Sequence, residues 1–397
     1  MARKPRVIIA GGGIGGLATA LALQNAGAEY EVFEQASRIS EIGAGLNLSP
    51  NALKAFRMLG VEDESIAAGW EDEFQATRSW RTGFPISVQP RRVTGTIYAA
   101  SYLTRHRADL QSILLKRLDA SRVHTGKSVV DAGSDANGAW LRFADGTSAD
   151  GDIALGADGI HSAVRDSLFG KSPPRFTGCV CWRGVVPVEA VANIPYVKDL
   201  AAWWGPHGHV VHYRVRRGEL VNFVAHYDSD AWTNESWTTE CTKDELISTF
   251  ARWNSALLRL FELSERYYKW ALYDRDPLPQ WSKGRVTLAG DSAHPMLPYL
   301  GQGAASAVED GCVLARLVAQ GGEIESMLQH YEALRKPRTT RMQLVSRERA
   351  KENHLTSPAA RLMRDAKVAF RSRFGSDKSI FKAGWVYEYD VGKVGLG

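Results

Sequence analysis

Gly11, Gly13 and Gly16 stand in the spacing G-x-G-x-x-G, and the chemistry open to that spacing is the capture of a diphosphate. The first glycine allows a tight turn, the second lets a pyrophosphate approach the backbone, and the third lets a helix pack closely on the strand before it. A helix that begins at such a turn offers free N–H groups and the positive end of its dipole to an anion. Glu34 follows about 20 residues on, the distance at which this unit bonds a ribose hydroxyl. Glycine clusters also occur in ordinary turns. Here a buried strand over 7–9, the glycines, an apolar helix, a second strand over 30–33 and the acid occur together, and that combination predicts an adenine dinucleotide.

Three further stretches carry residues of the right type. His106 and Arg107 open a helix with Leu110, Ile113, Leu114 and Leu118 on one side. Such a cationic pair is either a solvated helix start or, beside a pyrophosphate, a ligand clamp. GADGIHSAVR places Asp158 and Arg165 at the C-terminal end of a buried strand over 153–155, where open α/β sheets bind ligands. A fourth strand over 286–289 runs into GDSAHPMLPYLGQG, in which Asp291 ends the strand and a loop with Pro295, Pro298, Gly301 and Gly303 feeds a small-residue helix from Ala304. The N-terminus of that helix is again an anion site, suited to a flavin ring that becomes negative when reduced.

The remaining elements must position these groups. Gly43 and Gly45 let the backbone pass close to a neighbour, and Asn51, Leu53, Phe56 and Leu59 predict a short amphipathic helix. Residues 71–100, with Pro85 and Pro90 and no helical period, read as strands inserted from a second layer. Residues 129–147 read as a meander turning at Asp145-Gly146. Residues 171–281 hold eight of the 12 tryptophans and a hairpin of two alternating runs, 209–215 and 219–227. Residues 326–355 read as helical and polar, and the tail with Trp385, Tyr387 and Tyr389 carries no readable chemistry.

Composition bounds the answer. A chain of 397 residues, 44% hydrophobic and 23% charged, can bury a large core in two or three domains. The net charge, 49 − 44 = +5, is too small to argue nucleic acid, and the basic stretch 335–373 reads as a solvated helical face. Cys179, Cys181, Cys241 and Cys312 have neither a disulfide framework nor zinc spacing, so they read as packing thiols and no metal is expected. The glycine-rich start argues against an export signal and a membrane span, which makes the cytoplasm the expected compartment.

Together Gly11 to Gly16, Glu34, Arg107, GADGIHSAVR and GDSAHPMLPYLGQG resemble, in order, the three fingerprints of the single-component FAD-dependent aromatic hydroxylases. The resemblance spans about the first 340 residues, and Trp182-Arg183-Gly184 is similar to that family's entrance to its substrate domain. It implies an α/β fold: a Rossmann-like FAD-binding domain (1–70, 101–170 and 282–325), an interleaved β-sheet substrate domain (71–100 and 171–281) and a helical C-terminal region (326–397). Glu34 would hold the adenosine ribose, Arg107 and Asp158 would lie by the pyrophosphate, and Asp291 would bond the ribityl chain. Pro295, Gly301, Gln302 and Gly303 would border the isoalloxazine. The strand over 209–213 would face the substrate ring, nominating His209 and Tyr213, with Tyr299 beside the flavin loop; the pleat puts 209, 211 and 213 on one face and His212 on the other.

The implied chemistry is monooxygenation. NADH, or NADPH, would reduce FAD, O₂ would add at flavin C4a, and the hydroperoxide would hydroxylate a small aromatic carboxylic acid in a dry pocket near Met296, Leu297 and Pro298. The wording HPMLPYLGQGA is most similar to salicylate hydroxylases and to their 3-hydroxybenzoate and 6-hydroxynicotinate hydroxylating relatives, so salicylate to catechol with loss of CO₂ is the expectation. Tyr299, where some members have a second histidine, and Asn47, where nicotinate-type members have histidine, leave the substrate open. A flavin halogenase would need W-x-W-x-I-P, and the nearest string here is Trp182-Arg183-Gly184-Val185-Val186-Pro187. A non-catalytic flavin-fold carrier would not need the Pro295 loop. A homodimer is left open.

Overall fold

The computed structural model describes residues 3–39, 45–230, 241–375 and 384–396, so Gly43 lies outside the described residues. Its centre is a parallel sheet in the order Val286–Leu288, Ile153–Gly156, Val7–Ala10, Tyr30–Glu34, Val123–Thr125. The four apolar runs expected as buried strands are therefore immediate neighbours. Continuous apolar runs suit strands covered on both faces, and Val7 to Ala10 are fully buried. The edge strand Val123–Thr125 had no such run to announce it. Its His124 stacks on Phe33 at 4.9 Å.

Helices Ile14–Asn25 and Gly303–Gln320 pack against each other through small residues. A Cβ on Gly311 would stand 2.4 Å from Thr19 Oγ1, and one on Gly15 would stand 3.0 Å from the Ala307 Cβ. This close crossing brings the two helix N-termini, and the loops that feed them, to the same end of the sheet. The meander of Val129–Ser134, Ala139–Phe143 and Ser148–Gly151 forms as expected, with Asp145 accepting the Thr147 N–H at its turn.

A second sheet has seven strands in the order Tyr268–Asp274, Arg175–Pro187, Leu220–Asp228, Gly208–Val215, Leu200–Gly205, Phe74–Ser79, Pro85–Pro90. Phe74–Ser79 joins parallel to Leu200–Gly205, and the other pairings are antiparallel. Residues 71–100 thus enter the second sheet, but not as strands throughout: Val93–Tyr98 is a helix. One face of this sheet buries Trp182, Trp203 and Phe223 under helices Lys243–Thr249 and Ser255–Glu262. Alternation follows the pleat: Val210 lies in that core, and His212 accepts the Trp203 indole N–H at 2.8 Å. The opposite face carries Arg183, His209, Val211, Tyr213 and His226 toward a cavity. The long helix Ile324–Asn353 and helix Pro358–Phe374 follow, and Gly384–Tyr387 completes the region.

Candidate active site

The first glycines behave as their spacing demands. Gly11 has φ +107°, and a Cβ there would stand 2.3 Å from the Ala157 carbonyl oxygen; one on Gly16 would stand 1.9 Å from the Gly11 carbonyl oxygen. Gly13 differs, because a Cβ there would meet nothing within 4 Å. Packing therefore requires two of the glycines, and the third faces open space at the start of a helix that has no side-chain cap. That is the cradle a diphosphate needs. Glu34 accepts the Gly12 N–H at 2.7 Å and the Ala36 N–H at 2.9 Å, which fixes its carboxylate at the cavity edge.

Asp158 ties the site together. Its carboxylate accepts from the Ser162 hydroxyl at 2.5 Å and from the Ser292 hydroxyl at 3.1 Å, so the turn after one strand is bound to the turn after its neighbour. Asp291 faces the cavity. It is exposed to that space, and the protein that surrounds it raises its pKa by desolvation, against the opposing pull of His294 and Arg107. Asn47 Oδ1 is buried with no hydrogen-bond partner, and its amide nitrogen would lie 3.2 Å from a Cβ on Gly301. An unmet acceptor beside the Gly301 turn fits a flavin edge with N–H groups. Glycine fold requirements, the uncapped helix and the orphan amide all suit FAD.

The loops that would flank the ring are held by a buried ionic network that the sequence reading did not find. Arg335 donates to Asp310 and to Glu309, each at 2.7 Å, and Arg338 bonds both oxygens of Glu309 at 2.9 and 3.0 Å. Asp310 also takes the Gly290 N–H at 2.9 Å and lies 2.6 Å from His294 Nε2. Burial alone would raise the Asp310 pKa, but His294 and Arg335 outweigh it and hold the group at about 2. Glu309 accepts from Asn51, whose amide also donates to Gln302 Oε1 at 2.9 Å. The Gln302 side chain is thus spent inside the protein, leaving its backbone at the cavity. Two adjacent acids in a small-residue helix were the available signal.

Across the cavity stands the second sheet. His209 and His226 sit directly opposite each other on neighbouring strands and stack with centroids 4.3 Å apart. Tyr299 lies 5.2 Å from His209, and its hydroxyl donates to Cys179 Sγ at 3.5 Å. That hydroxyl therefore points into the sheet and is a poorer ligand partner than expected. Tyr213 lies over Gly45: a Cβ there would stand 2.5 Å from its ring, which explains that glycine. Burial, opposed by Arg183, pushes the Tyr213 pKa up to about 12, so its phenol remains a donor. Arg183 stacks at 4.1 Å on Trp270 and faces Tyr213 and His226 electrostatically. Arg183, His226 and Asn47 complete what the motifs alone did not assign.

Of the expected residues, Gly16 packs behind Gly11, and His106 and Arg165 are buried away from the ligand space, Arg165 donating to the Ile160 carbonyl and to Asp166. Gly11, Gly13, Glu34, Arg107, Asp158, His209, Tyr213, Asp291, Pro295, Tyr299, Gly301, Gln302 and Gly303 line one cavity of about 750 Å³. From the C-terminal region Arg349, Arg371, Ser372 and Tyr387 line it too. Tyr387 reaches it by packing edge-on against Tyr98 at 5.5 Å, giving the tail a role its sequence did not disclose. The cysteines are free thiols, three of them buried. Among the described residues no helix is long and apolar enough to cross a membrane.

Known proteins share this architecture. The FAD binding domain family matches residues 4–346. A 3-amino-4-hydroxybenzoate 2-monooxygenase of Streptomyces platensis is 38% identical over 397 residues, covering 99% of this chain and 98% of its own. A 6-hydroxynicotinate 3-monooxygenase of Pseudomonas fluorescens is 34% identical over 354 residues, covering 88% and 92%. A salicylate hydroxylase substrate complex superposes with a TM-score of 0.83 at 28% identity, covering 98% of this chain and 96% of that one. With the dinucleotide cradle and the aromatic wall opening on one cavity, the chain belongs to the FAD-binding aromatic monooxygenases.

Proposed function

We propose that the substrate is a benzoic acid bearing a hydroxyl or amino donor, with 3-amino-4-hydroxybenzoate the preferred one and NADH or NADPH the reductant. The observation that carries this is the single cavity in which His209, Tyr213 and Arg183 stand opposite the flavin loops. Bound FAD would pass the two electrons of the nicotinamide to O₂, which is the source of the oxygen atom and leaves its other oxygen as water. This chain's residues do the rest. Arg183 pairs with the carboxylate, Tyr213 donates to a ring substituent, and His209 accepts the proton whose loss makes the ring electron-rich. Val211, Met296, Leu297 and Trp270 exclude water from the reacting face.

The relatives favour the aminohydroxy acid because the similarity extends into the C-terminal region, which lends Arg371, Ser372 and Tyr387 to the cavity. Salicylate, with loss of CO₂ to give catechol, is the second reading, supported by the full-length likeness to the salicylate hydroxylase complex. The test is NADH oxidation by the FAD-loaded protein with 3-amino-4-hydroxybenzoate, salicylate, 3-hydroxybenzoate, 6-hydroxynicotinate or no addition, followed by product analysis. Acceleration and a hydroxylated aminohydroxybenzoate support the proposal. Catechol with CO₂ selects the second reading, and equal rates in every arm overturn both.

A further inference from the structure

Behind His209 a line of three side chains runs from the cavity to the surface. His209 Nδ1 lies 2.8 Å from His354 Nε2, and His354 Nδ1 lies 2.5 Å from Asp228 Oδ1. Exposure rises along it: His209 is 3% exposed, and the side chains of His354 and Asp228 are 8% and 39% exposed. The three come from different elements. His209 is on strand Gly208–Val215, Asp228 ends strand Leu220–Asp228, and His354 caps the C-terminus of helix Ile324–Asn353.

We propose that Asp228 and His354 fix the tautomer of His209 and carry the substrate's proton between the closed cavity and solvent. This rests on the reading that a hydroxyaromatic acid binds against His209. A carboxylate only accepts, so the hydrogen of a neutral His354 is on Nδ1, and its Nε2 is a bare acceptor. His209 then donates to it from Nδ1. Its own Nε2 is thereby left without a hydrogen, which is the form a base requires. One end of the line decides the state of the other.

The transfer balances without an oxidant or reductant. The substrate O–H bond breaks as a bond forms to His209 Nε2; the His209 Nδ1 proton passes to His354 Nε2; the His354 Nδ1 proton passes to Asp228. The products are a phenolate in the cavity and a carboxylic acid at the surface, which water deprotonates. The reverse sequence returns a proton to the product.

The groups around the line favour a neutral His209 at its inner end. His226 stacks on His209, Tyr299 lies 5.9 Å from His354, and Cys179 takes the Tyr299 hydroxyl. His207 Nδ1 stands 3.7 Å from Asp228 at the outer end. Burial first, then His226, His354 and Arg364, holds the His209 pKa well below the usual histidine value; burial, His354 and Arg183 do the same for His226. Cys179, Asp228 and His354 also bring ligand atoms within 4.8 Å of one another. Burial pushes the Cys179 thiol up to about 12, however, and His354 is spent on both ring nitrogens, so the cluster serves the line better than a cation.

Proton transfer can be read without turnover. The FAD-loaded protein, with no reductant, is saturated with 4-hydroxy-3-nitrobenzoate, whose absorbance changes on ionisation, and the deprotonation rate of the bound probe is followed after a pH jump. The variants are His354→Phe, His354→Ala and Asp228→Asn, the last keeping shape at a half-exposed site. Probe affinity should stay near that of the parent, while deprotonation slows about 10²-fold, and added imidazole should restore the rate in His354→Ala. A merely structural line would lower thermal stability and leave the rate alone. Unchanged rates in His354→Phe and Asp228→Asn with probe bound overturn the relay alone, whereas failure of the parent protein to bind the probe overturns the substrate reading beneath it.

Discussion

The three fingerprint glycines make different demands, and substitution should separate them. Gly13 has φ −72°, open to any residue, and nothing within 4 Å of a built Cβ. Gly13→Val should therefore leave folding intact and weaken FAD at least about tenfold, or ~1.4 kcal/mol, read by flavin absorbance after dialysis. Gly16→Ala drives a methyl to 1.9 Å from the Gly11 carbonyl. It should cost about 1–3 kcal/mol of stability through overpacking, measured by urea unfolding of the apoprotein. Full FAD occupancy in Gly13→Val would show that the diphosphate lies elsewhere. Such residues were legible because a backbone requirement is local and written in spacing. Arg183 was not, although it sat in a noticed motif, because its meaning depends on Trp270 and Tyr213, brought beside it only by the folded sheet. If it holds the carboxylate, Arg183→Gln should raise KM about 10- to 100-fold with kcat less affected, the loss expected when a charged hydrogen bond is removed.

At the scale of elements, the sequence disclosed the buried strands and the loops between strand and helix, but not what ties those loops down. The expected helix from Ala304 begins at Gly303, and its N-terminus is placed by side chains a turn or two further in. Glu309 and Asp310 are fully buried and matched by Arg335 from the next helix, with Arg338 at its edge. Arg335→Met leaves two carboxylates with one guanidinium, and breaking a buried pair from one side costs about 3–5 kcal/mol. Urea unfolding should show that loss, and FAD should bind more weakly because Asp310 also holds the Gly290 turn beside Asp291. Retained stability would mean that water reaches the network. Contacts of this kind stay hidden in a sequence because either partner alone reads as a solvated helical charge. The basic stretch 335–373 reads in just that way, while Arg335 is fully buried and Arg349 and Arg371 line the cavity.

Across the whole molecule, the cavity-facing sheet buries polar groups that titrate near neutrality, and folding should therefore depend on pH in a definite direction. His209, His212 and His226 are buried and held below the ordinary histidine value: burial leads in each case, and His212 is lowered to about 3. In the unfolded chain they take protons below about pH 6.5. The unfolded state then binds more protons than the folded one, so stability present above that pH is lost as the pH falls, by about 1.4 kcal/mol per histidine per pH unit. Asp72 acts in the opposite sense. Burial raises it to about 7 despite hydrogen bonds from Trp70 and Leu200, so it favours the folded state as pH falls below that value. Three histidines against one aspartate leave a net loss of stability as the pH falls below about 6. Asp310, held at about 2, adds its own loss only at still lower pH. Urea midpoints of FAD-saturated protein at about pH 7.5 and pH 5.5 should fall accordingly, and His212→Phe should shallow the slope by one proton's worth. A flat profile would mean that these rings are protonated in the fold, and His209 could not then take a proton from the substrate.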